Sequence, residues 1–162
     1  MLSAIAALSI YFSQNYQYLL VLVPFMVFFR TAFNALDGLV SRELKIASQF
    51  GEVLNELIDR IADAMILLSI ALLPETDLLL GTLVIIVVLI NSYLSILSKA
   101  SGGSRQYGGI MGKADRMLYI GLAAIIAIFW KNEIWTYLLF LILIGTIITF
   151  IQRFYQTKKE LT

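Results

Sequence analysis

The chain has 162 residues, 60% of them apolar and 14% charged, with a net charge of +1 and a mean hydropathy of +0.87. That balance excludes an ordinary soluble domain, indicates a polytopic membrane protein built as one domain over 1–162, and gives no ground for nucleic acid as a partner. Neither cysteine nor histidine is present, which excludes disulfides, thiolate nucleophiles and sulfur- or imidazole-bound metals. A general base must therefore be a carboxylate, a lysine, a tyrosine or water, and any metal must be held by oxygen, which favours hard ions such as Mg²⁺, Mn²⁺ or Ca²⁺.

Hydropathy predicts an all-α membrane bundle of about six transmembrane helices, near 1–13, 17–41, 49–73, 78–98, 114–131 and 134–152. The first segment falls short of the roughly 20 residues a span needs. It begins at Met1 without a polar flank, so it reads as the remainder of a longer first helix. A signal peptide would carry a basic n-region, which this segment lacks. Pro24 in the second segment predicts a kink.

Basic residues set the orientation. Arg42 and Lys45 lie between segments two and three, Lys99, Arg105, Lys113 and Arg116 between four and five, and Arg153, Lys158 and Lys159 after six. The opposite loops hold Lys131 with Glu75, Asp77 and Glu133. This bias puts both termini, and the ends of segments two and three that face each other in sequence, in the cytoplasm. Trp130 and Trp135 flank an external turn and read as interface anchors. Residues 101–113, SGGSRQYGGIMGK, form the one long irregular stretch. Ser92, Ser95 and Ser98 read as aids to helix packing.

The informative stretch runs from Asn34 to Asp63. Asn34, Asp37 and Ser41 recur at i, i+3, i+7, and Gly51, Asn55, Asp59 and Asp63 at i, i+4, i+8, i+12. Each series is one stripe on a helix face. Acids within a membrane helix are costly and by default mark a functional site. If helices two and three run antiparallel, residues at equal depth have numbers adding to a nearly constant value. Arg42 then faces Gly51, Asp37 faces Asn55, Asn34 faces Asp59, and Arg30 faces Asp63. The layers that pair an aspartate with an asparagine lie about 10–17 Å from the cytoplasmic helix ends. Arg30 and Asp63, the deepest layer, are expected to form an ion pair that locks the helices; the alternative makes Asp63 a metal ligand.

The spacing resembles the signature of the CDP-alcohol phosphotransferases, D-x2-D-G-x2-A-R, eight residues, G-x3-D-x3-D. It falls on Asn34, Asp37, Gly38, Ser41, Arg42, Gly51, Asn55 and Asp59. Asparagine stands at two of the four aspartate positions, and Ser41 replaces an alanine. With Gly112, Lys113, Ala114, Asp115 and Arg116 following, the chain is similar to the YnbA-like bacterial branch. The resemblance implies transfer of a substituted phosphate from a CDP-alcohol, typically CDP-diacylglycerol, to a small alcohol acceptor with loss of CMP.

By the same resemblance, Asn34, Asp37 and Asn55 are metal ligands for one or two Mg²⁺ or Mn²⁺ ions, and Asp59 is the base with a metal contact. Asp37, Gly38, Ser41, Arg42 and Gly51 meet the nucleotide and its phosphates. Arg105, Lys113 and Arg116 grip a phosphate on the acceptor, although simple headgroup contact accounts for them equally well. Glu52 and Glu56 read as solvated first-turn acids, and Arg60 as the partner of a neighbouring acid or a headgroup. The resemblance further implies a homodimer among membrane lipids, in the bacterial inner membrane, with its site facing the cytoplasm.

Two other classes compete. A non-catalytic nucleotide- or lipid-binding protein on the same fold is favoured by the two asparagines, which halve the charge of the four acidic positions. A small transporter with an acidic ion path would show paired, broken helices, and no such pairing is present.

Overall fold

The computed structural model describes the backbone of residues 1–43, 48–130 and 133–162, and the side chains of all these except 41–43. Lys45 and Lys131, and the side chains of Ser41 and Arg42, therefore lie outside the described residues. The helices are α1 (Leu2–Phe12), α2 (Leu22–Glu43) entered through a 3₁₀ turn (Gln17–Val21), α3 (Gln49–Ala71), α4 (Leu78–Ala100), α5 (Lys113–Phe129) and α6 (Ile134–Leu161). All six fall on predicted segments, and no strand occurs among the described residues.

Local chemistry sets the boundaries. Ser48 Oγ accepts the Gly51 N–H at 2.9 Å and starts α3. Asp77 does the same for α4 through the Leu80 N–H at 2.8 Å, and Asp115 accepts the Gly112 N–H at 2.8 Å at the start of α5. Pro24 sits in the first turn of α2, where a missing N–H has no helical partner to lose. It thus follows the 3₁₀-to-α change rather than kinking the helix interior. Helix α6 runs nine residues past its predicted end, because its last turns face the 101–112 stretch.

The packing closes a ring. Helix α1 contacts α2 and α3, α3 contacts α4, α4 contacts α6, α6 contacts α5, and α5 contacts α2. Among the described residues, α2 and α3 do not pack closely on each other. They are held at one end by α1 and elsewhere by long polar side chains. The core combines small residues of α1 (Ala6, Ala7) with Ile66, Ile70, Val84, Ile120, Leu139 and Ile142. Trp135 belongs to this core at 1% exposure, which corrects its reading as an interface anchor; Trp130, 79% exposed, remains free to serve as one. The ring turns Phe25, Phe28, Phe29 and Phe33 of α2 outward with many other large apolar side chains, the distribution expected of a surface solvated by lipid.

Three helical stretches, Gln17–Val40, Leu78–Ala100 and Ile134–Leu161, are long and apolar enough to cross a membrane on their own. Helix α3 carries the acidic stripe, and α5 has 17 residues. The chain is an integral membrane helix bundle.

Helices α3 and α4 pack tightly at Gly81, where a Cβ would lie 2.2 Å from the Ala71 Cβ and 2.9 Å from its Cα. Gly81→Ala is expected to destabilise the bundle by about 1–3 kcal/mol, as overpacked cores do. Ala71→Gly in the same chain should restore most of the loss. Thermal unfolding in detergent measures both.

Candidate active site

The two inner layers form as the spacing predicts. Arg30 Nη2 donates to Asp63 Oδ1 at 2.6 Å, and Asn34 Nδ2 donates to Asp59 Oδ1 at 2.9 Å. Pairing of 30 with 63 and of 34 with 59 also establishes that α2 and α3 run antiparallel. Asp63 is fully buried, and its second oxygen, Oδ2, accepts from Arg116 Nη2 of α5 at 2.9 Å. Both oxygens of Asp63 are thus committed to guanidinium groups. The carboxylate ties α2, α3 and α5 together, and the alternative reading of Asp63 as a metal ligand loses its ground.

Asp59 is buried one turn nearer the α3 N-terminus. Besides Asn34, it is ion-paired with Lys113 from the first turn of α5. Arg30 Nη2 lies 3.9 Å from the same carboxylate oxygen and 3.4 Å from the Asp59 carbonyl oxygen. The outer layers are more open. Asp37, Gly51 and Asn55 are exposed and Gly38 is half-buried. Gly51 also serves α3 itself, since a Cβ there would stand 2.9 Å from the capping Ser48 Oγ.

These residues border a cavity of about 300 Å³. Of the predicted site residues, Asn34, Asn55, Asp59, Arg105, Lys113 and Arg116 line it. Asp37 stands outside the lining. Arg60, Ser92, Ser95, Gln106, Tyr107 and Arg153 line it too, and sequence reading missed them as site residues. For Arg153 a signal was available: Thr146, Thr149 and Arg153 recur at i, i+3, i+7 and all three are buried. Glu56 also lines the cavity and pairs with Arg105 and, at 3.1 Å, with Arg60. This corrects its reading as a solvated acid, while Arg60 has the acidic partner expected of it. Glu52 stays exposed and pairs with Lys99 at 2.5 Å.

The 101–112 stretch is irregular, as predicted, and closes the cavity from the side of α4 and α6. The serines of α4 anchor it: Ser95 donates to the Gln106 carbonyl, and Ser98 donates to the Ser104 carbonyl at 2.9 Å. Ser92 receives Arg60. From α6, Thr149 Oγ1 accepts the Met111 N–H at 2.9 Å, and Arg153 Nε donates to the Gly108 carbonyl at 2.8 Å. Gly109 allows this approach, with φ of 121° and a Thr149 carbon 2.2 Å from where a Cβ would be.

The lining is strongly basic and incompletely satisfied. Among the described residues, the buried Nε groups of Arg60, Arg105 and Arg116 have no hydrogen-bond partner. Donors left this way in a polar cavity are suited to an anion. In the same lining, Asn34, Asn55 and Asp59 offer amide and carboxylate oxygens, donor chemistry that fits a hard divalent cation, with Asp37 on α2 outside the lining.

The CDP-alcohol phosphatidyltransferase family model matches residues 1–152. The chain belongs to the CDP-alcohol phosphatidyltransferase family. Among its relatives, the inner membrane protein YnbA of Escherichia coli (strain K12) is 35% identical over 124 residues, covering 73% of this chain and 62% of that protein. The archaetidylinositol phosphate synthase of Pyrococcus horikoshii is 36% identical over 134 residues, covering 79% of this chain and 65% of that one. The chain therefore spans slightly under two thirds of the length of the curated relatives it matches.

Crystal structures of Mycobacterium tuberculosis phosphatidylinositol phosphate synthase PgsA1 share the fold. The one with CDP-DAG bound has a TM-score of 0.75 at 20% identity, covering 96% of this chain and 82% of that one. The one in complex with manganese and citrate has a TM-score of 0.75 at 23% identity, covering 96% and 76%. In this family member, the first and third of the signature's four aspartate positions hold asparagine, yet the layer that pairs Asn34 with Asp59 assembles.

Proposed function

We propose that the protein transfers a phosphatidyl group from a CDP-alcohol such as CDP-diacylglycerol to an alcohol that itself carries a phosphate, releasing CMP. One observation carries this reading. Asp59, the last signature aspartate, shares a single cavity with Arg60, Arg105 and Arg116, whose buried Nε groups lack partners among the described residues. A carboxylate beside a cluster of guanidinium donors suits a hydroxyl nucleophile attached to an anionic group.

In the proposed step, the acceptor oxygen forms a bond to the phosphorus that bears the lipid. The bond from that phosphorus to the bridging pyrophosphate oxygen breaks, and CMP leaves with that oxygen. The acceptor's proton passes to Asp59. Lys113, paired with Asp59, holds this carboxylate in place for the acceptor. Arg105 and Arg116 hold the acceptor phosphate, with Arg60 and Arg153 adding positive potential. Gly38, Ser41, Arg42 and Gly51 are assigned to the nucleotide and its phosphates by the family signature.

Asp37 and Asp59 with Asn34 and Asn55 would hold Mg²⁺ or Mn²⁺. A divalent ion there supplies charge neutralisation for the pyrophosphate. Because two of these four positions are uncharged, metal binding should be weak. Asn34→Asp combined with Asn55→Asp is expected to tighten Mn²⁺ binding by about tenfold, equivalent to ~1.4 kcal/mol. Calorimetric titration of the protein with Mn²⁺ reads this directly, and an unchanged affinity would reject these four residues as one ligand set. The loop charge bias supports a cavity that faces the cytoplasm, and the similarity to YnbA supports a bacterial inner membrane.

The test uses full-length protein in liposomes with CDP-diacylglycerol and Mg²⁺ or Mn²⁺. CMP release should appear with glycerol 3-phosphate or inositol phosphate and not with serine, inositol or glycerol. Release with an unphosphorylated alcohol alone would overturn the acceptor class. No release with any acceptor from folded protein would favour a nucleotide- or lipid-binding protein on this fold.

A further inference from the structure

Arg105 enters the cavity from a stretch without regular structure, so something must fix the backbone that carries it. Glu160, in the last turn of α6, supplies the contact. The Ser104 N–H donates to Glu160 Oε2 at 2.7 Å, the Ser104 hydroxyl donates to Oε1 at 2.7 Å, and Gln106 Nε2 donates to Oε1 at 3.0 Å. Arg105 lies between these two residues in sequence and turns the other way. Its guanidinium pairs with Glu56 and stacks over the Tyr107 ring at 4.9 Å. From the opposite side, Ser95 and Ser98 hold the carbonyls of Gln106 and Ser104. The tripeptide is thus clamped between α4 and the end of α6. Glu160 also lies beyond residue 152, where the family match ends, so the signature gives no reason to notice it.

We propose that Glu160 is a positioning residue for acceptor binding: it straps Ser104 and Gln106 to α6 so that Arg105 is held ready for an anionic acceptor. This rests on the acceptor reading given above. The physical reason is preorganisation. A loop fixed before binding spares the ligand the entropic cost of ordering it. A carboxylate is needed because three donors converge on its two oxygens. Glutamine would offer one acceptor oxygen and set its amide N–H groups against the donors.

The experiment compares wild type, E160A, E160Q, R105A and E160A/R105A as full-length protein in liposomes, with glycerol 3-phosphate as acceptor. E160A should raise the KM for glycerol 3-phosphate about tenfold, the size expected for loss of charge-assisted hydrogen bonds. Its kcat and its KM for CDP-diacylglycerol should stay within about twofold, with E160Q intermediate. In the R105A background, E160A should add less than about twofold, because the strap then has nothing to position. Equal changes in both KM values with a fallen kcat would show a role in folding alone and overturn the proposal.

Hydrogen exchange of peptides covering 103–106 reads the strap without turnover. Exchange should be at least about tenfold faster in E160A, and an unchanged rate would overturn the strap. Faster exchange with an unchanged KM for glycerol 3-phosphate would overturn the positioning role. If wild type turns over no acceptor, the functional reading fails by itself. Calorimetric affinity for glycerol 3-phosphate in wild type and E160A then replaces KM and decides the role of Glu160 in the same way.

Discussion

Asp59→Asn is expected to lower acceptor-dependent CMP release by about 10²–10⁴-fold, the range a positioned general base contributes. The substitution is nearly isosteric. It keeps an oxygen to accept from Asn34 Nδ2, which now lies 2.9 Å from Oδ1, and it removes the charge that pairs with Lys113. Nucleotide affinity should change little, because the residues assigned to the nucleotide lie in the outer layers, toward the C-terminal end of α2 and the N-terminal end of α3. Turnover in liposomes, set beside calorimetric binding of CDP in the same preparation, separates the two effects. Turnover within a fewfold of wild type would remove Asp59 as the base. Equal loss of CDP binding and turnover would make it a binding residue instead.

Asp63→Leu is expected to cost about 3–5 kcal/mol of stability, the penalty for stranding buried charges. Asp63 is fully buried and accepts from Arg30 at 2.6 Å and Arg116 at 2.9 Å. Its loss would strip Arg116 of its carboxylate partner and leave Arg30 only the longer contact to Asp59 at 3.9 Å, where α2, α3 and α5 meet. Denaturant or thermal unfolding in detergent measures the loss. Replacing all three groups together, Arg30→Met, Asp63→Leu and Arg116→Met, should recover most of the stability, since a buried triad can be exchanged for apolar residues of similar volume. The triple variant should still lack turnover, because Arg116 also lines the cavity. Recovery of both would show that Arg116 serves the lock alone, and a neutral Asp63→Leu would show that no lock exists.

The sequence by itself determined the membrane bundle, the helix positions, and the two inner layers of α2 and α3. Hydropathy reports directly on which segments prefer lipid. Polar stripes at helical spacing in an apolar chain are costly enough to stand out, and antiparallel neighbours joined by a short connection have one simple register. Arg30 with Asp63 and Asn34 with Asp59 followed from that arithmetic. The family signature was legible for the same reason, since its residues lie close together along the chain.

Only the tertiary structure decided which distant residues complete the site. Glu56 looked like a solvated acid because nothing local reveals that Arg105 folds back onto it from 49 residues away. Trp135 looked like an interface anchor because its neighbours in sequence form a turn, whereas the ring of helices buries it. Ser95 and Ser98 gave the pattern of small packing residues, yet their hydroxyls hold the backbone of the 101–112 stretch. That stretch lacks periodicity, so its path is set by partners on α4 and α6 rather than by its own sequence. The closure of the ring through α1, which keeps α2 and α3 apart and leaves room for the cavity between polar side chains, is likewise a property of all six helices together.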